Sequence, residues 1–288
     1  NMYRCFKCRW KLLFPICLAA CICFASITVY ALSEEESAAQ PKVRLPIIMY
    51  HSILKTASRT GKFVVTPQTL ESDLRYIKDK GYTTVLIRDV IDYVKNDKPL
   101  PDKPIVITLD DGFLNNKTYL LPLLEELDMK AVISIVGSYS EKYSSLNDPN
   151  PNYAHLTWQD TKELAATGRI EIGNHTYNMH SQSPRRGCMR KRGESVEHYQ
   201  EALREDLSKT QELLRQNAGV TPTVFAYPYG YISKEALPVL KELGFESAMT
   251  CYEKVNTITK DPECLYHLNR FNRPGSMSTK KFMSRLLQ

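Results

Sequence analysis

The chain has 288 residues, 43% of them hydrophobic and 24% charged, with a formal net charge of +6. This is a globular composition, long enough for one sizeable core or two smaller ones. Arg4, Lys7, Arg9 and Lys11 all precede the first apolar run. Without them only about +2 remains, so charge makes no case for a nucleic-acid partner.

The first predicted element is a targeting segment. Those four basic residues lead into LLFPICLAACICFASITVYA, Leu12 to Ala31, and then into polar sequence. Val29-Tyr30-Ala31 offers small or apolar residues where a signal peptidase reads, and the run is also long enough to span a bilayer. Residues 1–31 therefore fit a cleaved signal peptide or a retained anchor. Leu18-Ala19-Ala20-Cys21 also resembles a bacterial lipobox, although the residues after Cys21 stay apolar. Each reading exports the rest of the chain, secreted or anchored at the extracellular face. Residues 32–44 read as a polar linker and 45–288 as the exported domain. Cys5 and Cys8 form a CxxC with no second pair nearby, a weak zinc signal. Cys188, Cys251 and Cys264 allow at most one disulfide, so this is no disulfide scaffold.

From Leu45 the chain repeats a short β-rich run, a loop and a helical run. LPIIMY (45–50) reads as a strand ending at His51. Thr66-Pro67 opens a helix with Leu70, Leu74 and Ile77 on one stripe up to Gly81. TTVLI (83–87) is a strand candidate, followed by a short helix around Val90 to Val94. PIVITL (104–109) reads as a strand buried on both faces. A helix over Tyr119 to Leu127 and a strand AVISIV (131–136) follow. A capped helix begins at Thr157 and ends near Ala166, then RIEIG (169–173) forms a strand. The longest helix runs from Val196 to Arg215. TVFAYPYG (223–230) is a strand and loop, Ser233 caps a helix ending near Leu243, and FESAMT and HLNRF (267–271) are the last strand candidates. About seven alternating units predict a parallel α/β sheet, closed as a barrel or open and doubly wound. In both, chemistry gathers at the carboxyl ends of strands.

Three polar stretches fall at such ends. TLDDGF puts Asp110 and Asp111 side by side, a repulsive arrangement unless a positive charge relieves it. Asp-Gly is also an ordinary turn signal. NHTYNMHS places His175 and His180 five residues apart, so they converge only if their loop curves back. Two imidazoles and one carboxylate would leave a divalent cation an open position, the pattern of a catalytic rather than a structural site. The second carboxylate then remains as a base for metal-activated water. Ordinary loop histidines are the plain alternative for spacing alone. From chemistry, the pattern points to metal-assisted hydrolysis of an unspecified substrate.

TLDDGF, HTYNMH and FAYPYG, in this order at these strand ends, resemble the motifs of the polysaccharide deacetylases, the NodB-homology enzymes of carbohydrate esterase family 4. The resemblance spans Leu45 to Phe271. LPIIMYH and the five-residue histidine separation are most similar to the branch acting on poly-N-acetylglucosamine. It implies a distorted (β/α)7 barrel and hydrolysis of N-acetyl groups from N-acetylglucosamine-containing polysaccharide of the matrix or the bacterial cell envelope, peptidoglycan included. It further implies one divalent ion, Zn²⁺ before Co²⁺ or Ni²⁺, on Asp111, His175 and His180, with Asp110 as general base. Thr176 would steady the loop through its hydroxyl, and the Tyr229 backbone amide would face the oxyanion.

The chain departs from that pattern at two places. Ala226 stands where much of the family has an arginine that orients the base, leaving Arg270 or Arg88 as substitutes. The family's late histidine acid has no clean match, His267 being the candidate in the right region. His51, Tyr227, Tyr229 and Arg270 are further candidates to line the pocket. Tyr177 and Trp158 are aromatics that could stack on sugar, Trp158 equally a packing residue. SQSPRRGCMRKRGES (181–195) interrupts the repeat beside the metal site, and Arg186 is its candidate for meeting substrate; a solvated basic surface is the alternative. The second function class is a carbohydrate-binding protein that keeps the fold with weak or lost catalysis. A phosphoryl-transfer enzyme built on the Asp pair would leave both histidines unexplained.

Overall fold

The computed structural model describes residues 42–146 and 148–287. The leader and residues 32–41 of the linker lie outside the described residues. Strand β1 (Val43–Leu45) begins within the stretch that composition gives to the linker, because it pairs antiparallel with Asn256–Ile258. Pro46 separates it from β2 (Ile47–Tyr50). β3 (Ser52–Ile53) and β4 (Val64–Val65) make a small parallel pair. Helix α1 (Pro67–Asp79) starts as its sequence predicts: Thr66 Oγ1 accepts from the Thr69 N–H and proline fills the first turn.

β5 (Thr83–Thr84) is shorter than predicted, because Asp89 caps the Leu86 N–H and starts α2 (Ile87–Asn96) early. β6 (Pro104–Leu109) is buried throughout. A π-helical turn (Asn116–Leu120) precedes α3 (Leu121–Leu127), where one continuous helix is predicted. After β7 (Ala131–Ile135) comes α4 (Gly137–Leu146), a Ser- and Tyr-rich helix that lacks an apolar stripe and is not predicted. α5 (Trp158–Ala166) has the Thr157–Asp160 capping box, and β8 (Ile170–Asn174) follows. α6 (Val196–Ala218) is capped by Ser195, and β9 (Val224–Ala226) follows it. Ser233 does not cap α7 (Ala236–Glu242) with its side chain, since its hydroxyl accepts from the Arg190 N–H. β10 (Ser247–Met249), β11 (Asn256–Ile258), β12 (Phe271–Asn272) and α8 (Thr279–Met283) complete the fold.

The main sheet runs β10-β9-β8-β7-β6-β2-β12, parallel at every step, with β5 also on β6. Neighbouring positions of a strand face different layers. Ile47, Val106, Val132 and Val224 share an inner layer that the apolar face of α2 joins. Ile48, Ile107, Ile133 and Ile172 pack instead with α1, α3 and α5. Leu268 bridges Met249 at one end of the sheet while Phe271 pairs with Ile48 at the other. A single segment thus joins both ends, and the sheet curls into the distorted (β/α)7 barrel expected from the sequence.

That segment carries two fully buried arginines. Arg273 turns outward to Asp73 of α1 (Nε–Oδ2 2.7 Å), whose carboxylate also accepts from Tyr50 and Thr279 hydroxyls. Arg270 turns inward. A guanidinium is buried only with its donors engaged, so these two partners fix how the barrel closes.

Candidate metal centre and active site

The adjacent carboxylates avoid each other by pointing at different counter-charges. Asp110 is 2% exposed, and both its oxygens accept from Arg270, Nη1–Oδ1 at 2.7 Å and Nη2–Oδ2 at 2.8 Å. Arg270 is itself held by the Thr250 carbonyl (2.8 Å). Burial pushes the Asp110 carboxyl up, but Arg270 and His175 outweigh it, and the group titrates below the ordinary aspartate value. The chain then turns sharply, with Asp111 at φ +72° and Gly112 at φ +66°. Aspartate tolerates this left-handed backbone, whereas a Cβ on Gly112 would meet the Ile135 side chain at 2.9 Å.

The turn sends Asp111 toward the histidines. Its Oδ1 lies 3.5 Å from His175 Nε2 and 3.1 Å from His180 Nε2. The histidine loop does curve back. Thr176 adopts φ +75°, and the Asn174 side chain accepts from its N–H at 2.8 Å. Asp206 of α6 then accepts from the Tyr177 and Asn178 N–H groups, at 2.7 and 2.8 Å. The Thr176 hydroxyl, expected to steady this loop, is buried without a partner, so Asn174 and Asp206 do that work instead.

The donor set fits a divalent cation. His175 Nδ1 lies 2.7 Å from the Ala226 carbonyl. A carbonyl only accepts, so that nitrogen carries the hydrogen and Nε2 presents its lone pair toward Asp111. The Tyr229 hydroxyl sits 3.3 Å from His180 Nδ1 and can accept from it, leaving the second Nε2 bare in the same way. Asp111 Oδ1 is buried with no hydrogen-bond donor. Three ligand atoms of Asp111, His175 and His180 thus lie within 4.8 Å of one another, all of them acceptors.

These groups line a cleft of about 600 Å³ whose wall also includes His51, Phe113, Tyr229 and Tyr231. His51 lies in the cleft wall, with Nδ1 unpartnered and its ring 4.7 Å from Phe63. Burial lowers its pKa against the pull of Asp111 and Asp110. Tyr229 is 37% exposed on the wall, in a left-handed backbone of φ +58°.

Other candidates fall elsewhere. Tyr227 is buried with Phe225 and Cys188, because it shares the outward face of its strand with Phe225. His267 is exposed at the end of a 3-10 turn (Pro262–His267), not on a strand, and does not line the cleft. Arg88 lies at Gly168 and Glu171, so the substitute for the missing arginine is Arg270. Tyr177 donates to Glu141 away from the cleft, and Trp158 packs in the core. Arg186 does not itself line the cleft but stacks on Tyr231, which does. Sequence reasoning missed Cys251, Glu253 and Lys62 on the wall, and Tyr139 edge-on to His180. None belongs to a recognisable pattern, and only the fold collects them.

Residues 97–248 match the family model described as polysaccharide deacetylase. The chain belongs to the polysaccharide deacetylase family. Among curated relatives it is similar to the poly-beta-1,6-N-acetyl-D-glucosamine N-deacetylase of Escherichia coli (strain K12), 29% identical over 258 residues. That match covers 82% of this chain but 38% of the relative, so the chain spans under half of that protein. Its fold is similar to a de-N-acetylase from Aggregatibacter actinomycetemcomitans, TM-score 0.71 at 22% identity, covering 85% of this chain and 100% of that one. A Streptococcus pyogenes deacetylase solved with acetate gives TM-score 0.69 at 20% identity over 85% and 99%. Ala226 is the position at which the resemblance implies an orienting arginine. Its side chain carries no charge, its carbonyl orients His175, and the guanidinium on Asp110 comes from the barrel-closing segment.

Proposed function

We propose that this protein removes N-acetyl groups from an N-acetylglucosamine-containing polysaccharide by metal-dependent hydrolysis. The observation that carries the reading is the separation of two carboxylates: Asp111 faces two imidazole lone pairs while Asp110 is held apart by Arg270. Asp111, His175 and His180 would hold one divalent cation, Zn²⁺ before Co²⁺ or Ni²⁺. Bound there, the ion supplies a Lewis acid for the acetyl carbonyl and acidifies water. Asp110 stays ionised at neutral pH and keeps lone pairs that Arg270 does not use, so it can take the proton of the attacking water. Arg270 fixes the direction of that carboxylate. We assign the oxyanion to the Tyr229 backbone amide, since Tyr229 lies on the cleft wall within the FAYPYG motif.

The poly-N-acetylglucosamine substrate named for the Escherichia coli relative supports that glycan class here, with peptidoglycan the other candidate in the cell envelope. The basic and then apolar leader supports a site of action outside the cytoplasmic membrane. The exposed position of His267, off the cleft, favours one other reading, a glycan-binding protein without turnover, because the candidate acid then has no place beside the metal ligands. Acetate release decides between them. Wild-type protein with Zn²⁺ or Co²⁺ should free acetate from N-acetylglucosamine polymers, and Asp110→Asn should abolish this while still binding metal. No release from any acetylated glycan leaves the binding-protein reading.

A further inference from the structure

The insertion at 181–195 is built rather than loose. Arg185 and Glu194 form a two-pronged ion pair, at 2.8 and 2.6 Å, with little exposure. Arg190 reaches Glu235 at 3.4 Å, and the buried Tyr199 donates to the Cys188 carbonyl at 2.7 Å. These contacts pin the insertion to α6 and to the turn before α7. Arg186 is left without a carboxylate among the described residues. Its guanidinium stacks 4.5 Å from the centre of the Tyr231 ring and donates to the Tyr231 hydroxyl at 2.8 Å. One of its five N–H groups is thereby used, and the others remain.

Tyr231 is a wall of the cleft, and Lys62 lines the same cleft with only a ring contact to Phe63, 5.0 Å from its centre. The acids of the cleft are all engaged. Asp110 is matched by Arg270 and Glu253 by Arg285, and Asp111 would be matched by the divalent cation that its donor set fits. Among the described residues two cations remain uncompensated there, Lys62 on the wall and Arg186 against the wall residue Tyr231. We propose that Arg186, held on Tyr231, together with Lys62 forms a subsite for an anionic substituent, a carboxylate or phosphate, on the glycan whose N-acetyl group enters the cleft. The inference rests on the deacetylase reading for the identity of the ligand as a glycan, and its test is binding rather than turnover. A planar guanidinium fixed by stacking meets a carboxylate or phosphate with two parallel hydrogen bonds, which a solvated surface lysine does not offer.

The experiment compares chitotetraose with the same tetramer oxidised to carboxylates at C6, by calorimetric titration of the full chain at two salt concentrations. The oxidised tetramer should bind about tenfold tighter at low salt, with the preference shrinking at high salt. Arg186→Gln should bring the ratio close to one, Lys62→Gln should lower it, and Arg192→Gln should leave it unchanged. Arg192 lies in the same insertion and, among the described residues, has neither an ion pair nor a ring contact with Tyr231, so it controls for net charge. Equal binding of both sugars, no binding of either, or equal losses in Arg186→Gln and Arg192→Gln overturns the subsite. A preserved, Arg186-dependent preference without acetate release leaves the subsite standing and removes the deacetylase reading.

Discussion

Arg270 grips both carboxylate oxygens of Asp110 from 160 residues further along the chain. The proposed base and its orienting charge therefore meet only once the barrel has closed. Lysine can supply the charge but not the fork. Arg270→Lys should lower kcat by about 10–100-fold with little change in KM, as expected of a group acting through another residue. Steady-state acetate release measures it, and an unchanged kcat would remove Arg270 from a positioning role.

The neighbouring pair, Arg273 and Asp73, tests closure rather than chemistry. Both are fully buried, and Asp73 also accepts from Tyr50 and Thr279. Asp73→Ala leaves a buried guanidinium unpaired, so unfolding in urea should show a loss of about 3–5 kcal/mol. A loss under about 1 kcal/mol, the scale of a surface pair, would mean that the segment is anchored elsewhere.

Asp206 ties the histidine loop to α6 through two N–H groups. Removing a group that orients metal ligands typically lowers affinity by about 10–100-fold. Asp206→Ala should weaken Zn²⁺ binding on that scale, read by competition with a chelating dye, while the circular dichroism spectrum stays unchanged. Unchanged affinity would show that the loop holds its curve without the clamp.

Glu171 gives a pH dependence away from the site. Burial on β8 raises its carboxyl to about 7, against the N–H groups of Arg88 and Ile87. The native state therefore holds this proton more tightly than the unfolded chain does. Stability falls as pH rises from the ordinary glutamate value through about 7, and is level above that. Glu171→Gln removes this slope and should gain on wild type by up to about 3 kcal/mol between pH 5 and pH 8. Parallel stability curves for the two proteins would contradict the assignment.

The clustering of Asp111, His175 and His180 was legible because Asp-Asp, His and His at strand ends are chemically unusual, and β6 and β7 were legible because they are nearly continuous apolar runs. Tyr227 was misplaced since strand alternation, which groups it with Phe225, was not applied across the YPYG loop. His267 failed for another reason: HLNRF is too short to separate a strand from the 3-10 turn that ends there. Arg270 could be named from the sequence as a candidate, but choosing it over Arg88 needed the closure of the sheet. The role of Ala226 was hidden entirely, because it acts through a backbone carbonyl that no side-chain motif records.

Co²⁺ titration followed by visible absorption tests the metal assignment directly. One equivalent should give a saturating spectrum in wild type and in Asp110→Asn, and the spectrum should be lost or shifted to far higher Co²⁺ in Asp111→Ala and His175→Ala. Saturation that survives in Asp111→Ala, or disappears in Asp110→Asn, would contradict the division of labour between the two aspartates.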